Sequence, residues 1–283
     1  MLTAEIDVTH PTATFRNLHR NTTPLRLPNA WDAGSARLFE SLGAPAIATT
    51  SAGVAWALGF QDARRLPVDE VVAAASRMAR VLTVPLSFDI ENGYSDDPKA
   101  VADPVMRLID LGIAGINIED GLDAATLLAS KIEAIRNVAS KAGIDLFINA
   151  RSDVFLAGLV EKSKQVEESI ARGKLYARSG ADGLFLPGLW QAGQIKAVVG
   201  EIALPLNVMA WPGLPNATEL GALAVRRLSA GSGISQVLWG RAEKLARDFL
   251  QGGSSEPLSE ASMPYAQLQG LFTSNGSGNV SHT

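Results

Sequence analysis

Short apolar runs alternate with longer amphipathic stretches along nearly the whole chain, and this alternation restricts the fold more than any other feature. The strand-like runs lie at 25–29, 45–50, 84–90, 114–119, 145–151, 183–187, 204–208 and 225–229. Helix-like stretches lie near 33–42, 67–81, 98–111, 124–141, 161–179, 190–199, 216–222 and 233–250. Eight strands, each followed by a helix, read as a (β/α)8 TIM barrel. The competing doubly wound sheet calls for a glycine fingerprint after its first strand, and "PNAWDAG" is not one. A length of 283 residues suits a single such unit. The expected division is an N-terminal segment over 1–24, a barrel catalytic domain over 25–250, a C-terminal helical extension over 251–272 and a small, polar, disordered tail over 273–283. The extension is expected to carry one helix, at about 257–272. The connection 50–67 is too long for an ordinary strand-to-helix turn and reads as a lid or binding segment.

Composition removes whole mechanisms. There is no cysteine, hence no thiolate nucleophile, disulfide or cysteine-based zinc site. The histidines are His10, His19 and His282, two ahead of the first strand and one at the end, which argues against a Ser-His-Asp relay or a His-rich metal site inside the barrel. The lysines fall on helices or their flanks, where a Schiff base is not expected. A net charge of −4, without basic or acidic blocks, argues against a nucleic-acid partner. No apolar run reaches the roughly 18 residues that span a bilayer, and "MLTAEIDVTHPTATF" is not a secretory signal, so a cytoplasmic location is expected. Chemistry then falls to carboxylates, arginine, hydroxyls, backbone amides and a metal ion.

Side chains in a strand alternate between faces. If Leu86, Phe88 and Ile90 face the helices, Ser87, Asp89 and Glu91 face the barrel axis. The same parity sends Asn117 and Glu119 inward, and likewise Phe147, Asn149, Arg151 and Asp153. These groups collect at the C-terminal ends of the third, fourth and fifth strands, where barrel enzymes place their chemistry. Asp89, Glu91 and Glu119 would repel one another unless a cation sits among them, and all-oxygen ligands favour Mg2+, with Mn2+ as the alternative. The alternative is a structural network with Arg151 and other cations. Arg151 itself either pairs with Asp153 alone or clamps a substrate carboxylate through two parallel hydrogen bonds. "TTSAG" (49–53) offers hydroxyls and amides for an anionic oxygen, or is only a tight turn. Asp62 lies in the long connection, and "SAGSG" (229–233) is a turn that could meet a phosphate.

Read in order, "NAWDAGSARLFESLGAPAIATTSAG", "LGFQD", "DIENGYSDD", "GINIEDG" and "INARSD" resemble the isocitrate lyase/phosphoenolpyruvate mutase superfamily. The resemblance runs from Asn29 to Asp153 and more loosely through "ADGLFLPG" and "RRLSAG". It implies a (β/α)8 barrel whose eighth helix is swapped with a neighbouring subunit in a homodimer or homotetramer. It also implies chemistry at a bond beside a 2-oxo acid, or the enolate derived from it, held on Mg2+. By the same resemblance Asp89 is the direct metal carboxylate, Glu91 stands at the second acidic position, and Glu119 holds the metal, commonly through water. Arg151 is the substrate clamp, Thr50 a carboxylate-binding hydroxyl, the Ser51 and Ala52 amides the oxyanion donors, and Asp62 the aspartate of a mobile loop. The Cys-Gly-His loop of the isocitrate lyases is absent, for the chain reads "GLDAATLLASKIEAI" there. The expectation is therefore a Mg2+-dependent carbon–carbon lyase or decarboxylase that acts on a small 2-oxo acid, or releases one, through an enolate. The alternatives are a phosphonomutase or phosphonopyruvate hydrolase, and a non-catalytic 2-oxo-acid binder.

Overall fold

The computed structural model describes residues 11–260 and 262–273. Nine strand segments form one all-parallel sheet: β1 (Leu25–Leu27), β2 (Asn29–Ala30), β3 (Ile47–Thr49), β4 (Leu86–Asp89), β5 (Gly115–Glu119), β6 (Phe147–Arg151), β7 (Gly183–Phe185), β8 (Leu206–Met209) and β9 (Arg227–Ser229). β1 and β2 are the halves of one strand, divided at Pro28, which has no N–H to give to a ladder. The first half pairs with β9, Leu25 opposite Arg227, and the second with β3, Ala30 opposite Thr49. One interrupted strand thus closes the ring, and the architecture is the expected (β/α)8 barrel.

The helices are α1 (Pro11–Leu18), α2 (Ala33–Ser41), α3 (Ser51–Ala57), α4 (Val68–Ala79), α5 (Pro98–Asp110), α6 (Ala125–Lys141), α7 (Gln165–Arg178), α8 (Ala192–Glu201), α9 (Ala217–Ala222), α10 (Gly233–Gly252), α11 (Glu256–Ser259) and α12 (Tyr265–Gly270). The outward residues of the strands, among them Phe88, Ile116, Ile118, Ile148 and Val208, pack in one core with Val71, Met78, Leu108, Ile132 and Ile135 of the surrounding helices. This leaves the inward positions free to be polar at one end of the barrel. Two elements depart from the sequence reading. The first part of the expected loop 50–67 is the helix α3, and the single helix expected at about 257–272 is two short ones, α11 and α12. Pro264, extended at φ −54 and ψ 138, starts the second of these and separates it from the first. The expected tail lies, from residue 274 onward, outside the described residues. Among the described residues no helix is long and apolar enough to cross a membrane.

The floor of the barrel is made by α1. Its Phe15 is fully buried among Leu25, Leu27, Ala46, Ala48, Ala114 and Phe147. Small residues make room for that ring: a Cβ at Gly115 would stand 2.8 Å from Phe15 Cε1. His19, just past the helix, stacks on Phe147 with ring centroids 4.1 Å apart, and its Nδ1 donates to the Phe15 carbonyl at 2.8 Å. Its Nε2 is buried without a partner. Burial, reinforced by the charge of Arg227, pushes this imidazole down to about 3. In the unfolded chain it titrates near 6.5, so below that pH the unfolded state takes up a proton that the fold refuses. The contribution is intact above pH ~6.5 and lost as pH falls through the window toward ~3, at about 1.4 kcal/mol per pH unit. Between pH 6.5 and 5, the wild type should therefore lose about 2 kcal/mol more of its stability, measured by urea unfolding, than His19→Leu does. Equal acid slopes for the two proteins would refute a neutral, buried His19.

Candidate active site

The C-terminal ends of the strands surround a cavity of about 370 Å³. Its wall includes Thr50, Ser51 and Ala52 after β3, Asp89 at the end of β4, Arg151 at the end of β6, and Asp62 from the segment after α3. Six of the eight site residues read from the sequence therefore share one space. Glu91 and Glu119 do not line it.

Local geometry explains how each is set. Thr50 caps α3 with extended backbone (φ −115, ψ 120), its Oγ1 accepting from the Gly53 amide at 3.5 Å. Ser51 and Ala52 begin that helix, ahead of the first residue able to donate to an intrahelical carbonyl. Asp89 is buried. Its amide donates to Thr49 Oγ1 at 2.8 Å, its Oδ1 accepts from the Glu91 amide at 3.0 Å, and its Oδ2 accepts from Asn117 Nδ2 at 3.2 Å. Arg151 Nη1 meets Glu119 Oε2 at 2.7 Å, while Nε and Nη2 hold Asp153 at 2.7 and 2.9 Å.

Glu91 corrects the strand-parity argument. β4 ends at Asp89, and Glu91 adopts φ +49, the left-handed region that a non-glycine residue rarely enters. Alternation does not extend through such a residue. Its carboxylate is buried and accepts from the Arg64 amide, in the segment that also carries Asp62. Ala63 and Arg64 are left-handed as well, so backbone strain is concentrated where this segment meets the barrel. The Arg64 side chain pairs with Asp123 and holds the segment down from outside.

The acidic groups feel their burial. Asp89 is pushed up by burial, against the pull of Arg151. Burial raises Glu91 to about 7, with Asp62 and Asp89 adding to the effect. Burial likewise raises Glu119 to about 8, although Arg151 opposes it. Carboxyls thus outnumber the one arginine at this end of the barrel, and burial works against their ionisation. Among the described residues, however, no three acidic or histidine side chains converge as a ready-made ion cage. Mg2+ does not require one: it keeps several waters and takes one or two carboxylates together with substrate oxygens. An all-oxygen donor set centred on Asp89, with further carboxyls behind it whose ionisation a cation would favour, fits such an ion.

Three supporting residues escaped the sequence reading. Asp120 is fully buried behind the cavity, where Oδ2 accepts from Arg172 at 2.8 Å and from the Tyr176 hydroxyl at 2.6 Å, and Oδ1 accepts from the Asp153 amide at 2.9 Å. Lys131 is buried and donates to the Asn92 carbonyl at 3.0 Å, bracing the turn after β4; it does not line the cavity. Arg227, fully buried on β9, donates to Asn117 Oδ1 at 3.2 Å, and Asn149 reaches the same oxygen at 2.9 Å. Its Nε and Nη1 have no partner, and burial pulls it down to about 9. The one available signal was the second arginine of "VRRLS", at an inward position of a strand otherwise expected to be apolar.

Comparison with known proteins places this geometry among relatives. The model of the phosphoenolpyruvate phosphomutase family matches residues 15–250. An uncharacterised protein of Mycobacterium tuberculosis is 37% identical over 257 residues, covering 90% of this chain and 94% of that one. The oxaloacetate decarboxylase of Paraburkholderia xenovorans is 33% identical over 216 residues, covering 71% and 69%. A crystal structure from Burkholderia cenocepacia, provisionally assigned as a phosphonomutase, is 37% identical with a TM-score of 0.80, covering 84% of this chain and 99% of that one.

Proposed function

Because the chain belongs to the phosphoenolpyruvate phosphomutase family, a family of enzymes, we propose that it is a Mg2+-dependent carbon–carbon lyase or decarboxylase for a small 2-oxo acid. The observation that carries this reading is one cavity that joins Asp89 to Arg151 and backs onto carboxyls which burial has raised. The sequence likeness to an oxaloacetate decarboxylase supports the same class of chemistry and makes oxaloacetate the first substrate to test.

When bound, the cation supplies Lewis-acid polarisation of the 2-oxo and carboxylate oxygens. Asp89 would hold it directly, with Glu91 at the second acidic position and Glu119 acting through water. Arg151 would fix the substrate carboxylate, with its own orientation set by Glu119 and Asp153. Thr50 and the amides of Ser51 and Ala52 would bear part of the negative charge that develops as the bond beside the carbonyl breaks. Asp62, on the segment latched by Arg64, would cover the cavity and exclude water.

The test needs no knowledge of the natural substrate. The protein should exchange the methyl protons of pyruvate in D2O in the presence of Mg2+, followed by NMR, and should decarboxylate oxaloacetate. Both activities should vanish with chelator. In Asp89→Ala, Mg2+ affinity should fall sharply by calorimetric titration. Undiminished Mg2+ affinity in that variant would overturn the site as drawn. Turnover of phosphonopyruvate alone would favour the mutase or hydrolase, and pyruvate binding without any turnover the non-catalytic binder.

Assembly belongs to the same reading. Only Ser235 of α10 is buried, while Val237, Leu238, Trp239, Phe249 and Leu250 are exposed. A helix with so much apolar surface in water is set to pack on another subunit, and we propose the homodimer or homotetramer with an exchanged eighth helix. Light scattering at micromolar concentration should show it; a clean monomer would argue against the exchange.

A further inference from the structure

Asp89, Asn117 and Asn149 stand side by side at one level of the barrel, each opposite the next on β4, β5 and β6. Their side chains form a row. Asn149 Nδ2 donates to Asn117 Oδ1 at 2.9 Å, and Asn117 Nδ2 donates to Asp89 Oδ2 at 3.2 Å. Gly183, opposite Asn149 on β7, makes room for the end of the row, since a Cβ there would stand 2.6 Å from Asn149 Oδ1.

The two amides by themselves have two settings. An amide carries a donor end and an acceptor end of nearly the same shape. If Asn117 and Asn149 both turned over, the bond between them would survive, but Asn117 would present its oxygen to Asp89 and push the carboxylate away. Arg227 removes that setting. From β9, on the far side of the ring, its Nη2 donates to the same Asn117 Oδ1 at 3.2 Å, and a guanidinium can only donate. The placement is costly: Arg227 is fully buried, and its Nε and Nη1 have no partner. A buried charge with unmade hydrogen bonds works against folding, so stability is a poor account of this residue.

We infer that Arg227 is a positioning residue, which locks the Asn117 amide with its donor end toward Asp89 and so holds that carboxylate in the orientation that meets the cation. This rests on the reading of Asp89 as the direct metal ligand. Asp89 Oδ1 is tied to the Glu91 amide at 3.0 Å and Oδ2 to Asn117, which stops the carboxylate from rotating and leaves each oxygen further acceptor capacity toward the cavity. Arg227 does not line the cavity and reaches Asp89 by way of Asn117.

The test is Mg2+ affinity by calorimetric titration in a double-substitution cycle of Arg227→Met and Asn117→Leu. Each single variant should lose about tenfold or more, as partners behind a metal ligand do. The double variant should match Asn117→Leu alone within about twofold, because Arg227 has nothing left to orient. Arg227→Gln, too short to cross the barrel, completes the same cycle should the methionine variant fail to fold, with circular dichroism as the check on folding. A role in stability alone predicts a lower thermal midpoint with Mg2+ affinity within about twofold of wild type, and that result overturns the inference. Losses that multiply in the double variant also overturn it, since Arg227 would then act by its charge or its packing and not through Asn117. Failure here is separable from failure of the site. Lost Mg2+ affinity in Asp89→Ala with full affinity in Arg227→Met removes the positioning role and leaves the metal site, while undiminished affinity in Asp89→Ala removes both.

Discussion

Replacing Arg151 by lysine should lower kcat/KM for oxaloacetate by on the order of 10³ while the protein remains folded. The guanidinium spends three of its five N–H donors on its neighbours, Nη1 toward Glu119 at 2.7 Å and Nε and Nη2 toward Asp153 at 2.7 and 2.9 Å, and keeps the other two for a substrate. Burial alone would lower its pKa, but Glu119 and then Asp153 raise it, so the charge is permanent. A lysine ammonium keeps the charge yet is a point donor on a flexible stem, and it cannot face two carboxylates and a substrate in one plane. The positive charge that offsets Asp89, Glu119 and Asp153 survives, which is why the fold is expected to persist. Circular dichroism and a thermal midpoint within a few degrees of wild type would establish that. Retention of more than a tenth of the wild-type kcat/KM would show that Arg151 does not orient the substrate.

Asp120→Ala should cost about 3–5 kcal/mol of stability, measured by urea unfolding, although this residue does not line the cavity. The carboxylate is fully buried and accepts from Arg172, Tyr176 and the Asp153 amide at once. Alanine would leave the Tyr176 hydroxyl proton without its acceptor and leave Arg172 with Glu168, at 2.7 Å, as its one carboxylate partner among the described residues. A buried donor without a partner keeps its desolvation cost and gains nothing in exchange. Asp120→Asn retains an acceptor and should lose about half as much. Because Asp153 is tied to Asp120 through its amide, the alanine variant should also loosen the Arg151 clamp and lower activity in the protein that remains folded. A stability loss below ~1 kcal/mol would mean the network is not under tension from burial, and that Asp120 is incidental to the site.

The two variants divide between what was legible and what was not. Arg151 could be found because it ends a strand whose inward parity is uninterrupted: Phe147, Asn149 and Arg151 alternate within β6 itself. Asp89 was legible for the same reason. Glu91 was not, since its left-handed backbone lies past the end of β4, and parity has no meaning once the pleat stops. Asp120 stands one residue beyond Glu119 and therefore turns the other way, into a network whose donors come from α7. No local pattern announces such a partner, because Arg172 and Tyr176 read simply as positions on an amphipathic helix.

The sequence by itself determined the barrel and the end of it that holds the polar residues. Buried parallel strands need apolar outer faces and their connecting helices need apolar stripes, and both leave periodic marks that survive in one dimension. Tertiary structure alone decided the rest. It closed the ring through a strand broken at Pro28, with each half bonded to a different neighbour. It set Phe15 as the floor against residues from four strands or their flanks, and left Arg227 buried with two unpartnered nitrogens beneath the Asn117–Asp89 pair. These outcomes depend on which distant side chains share a small volume, and on the cost of burying polar atoms there. Neither leaves a period in the sequence, because the contacts are fixed only when the strands close on one another.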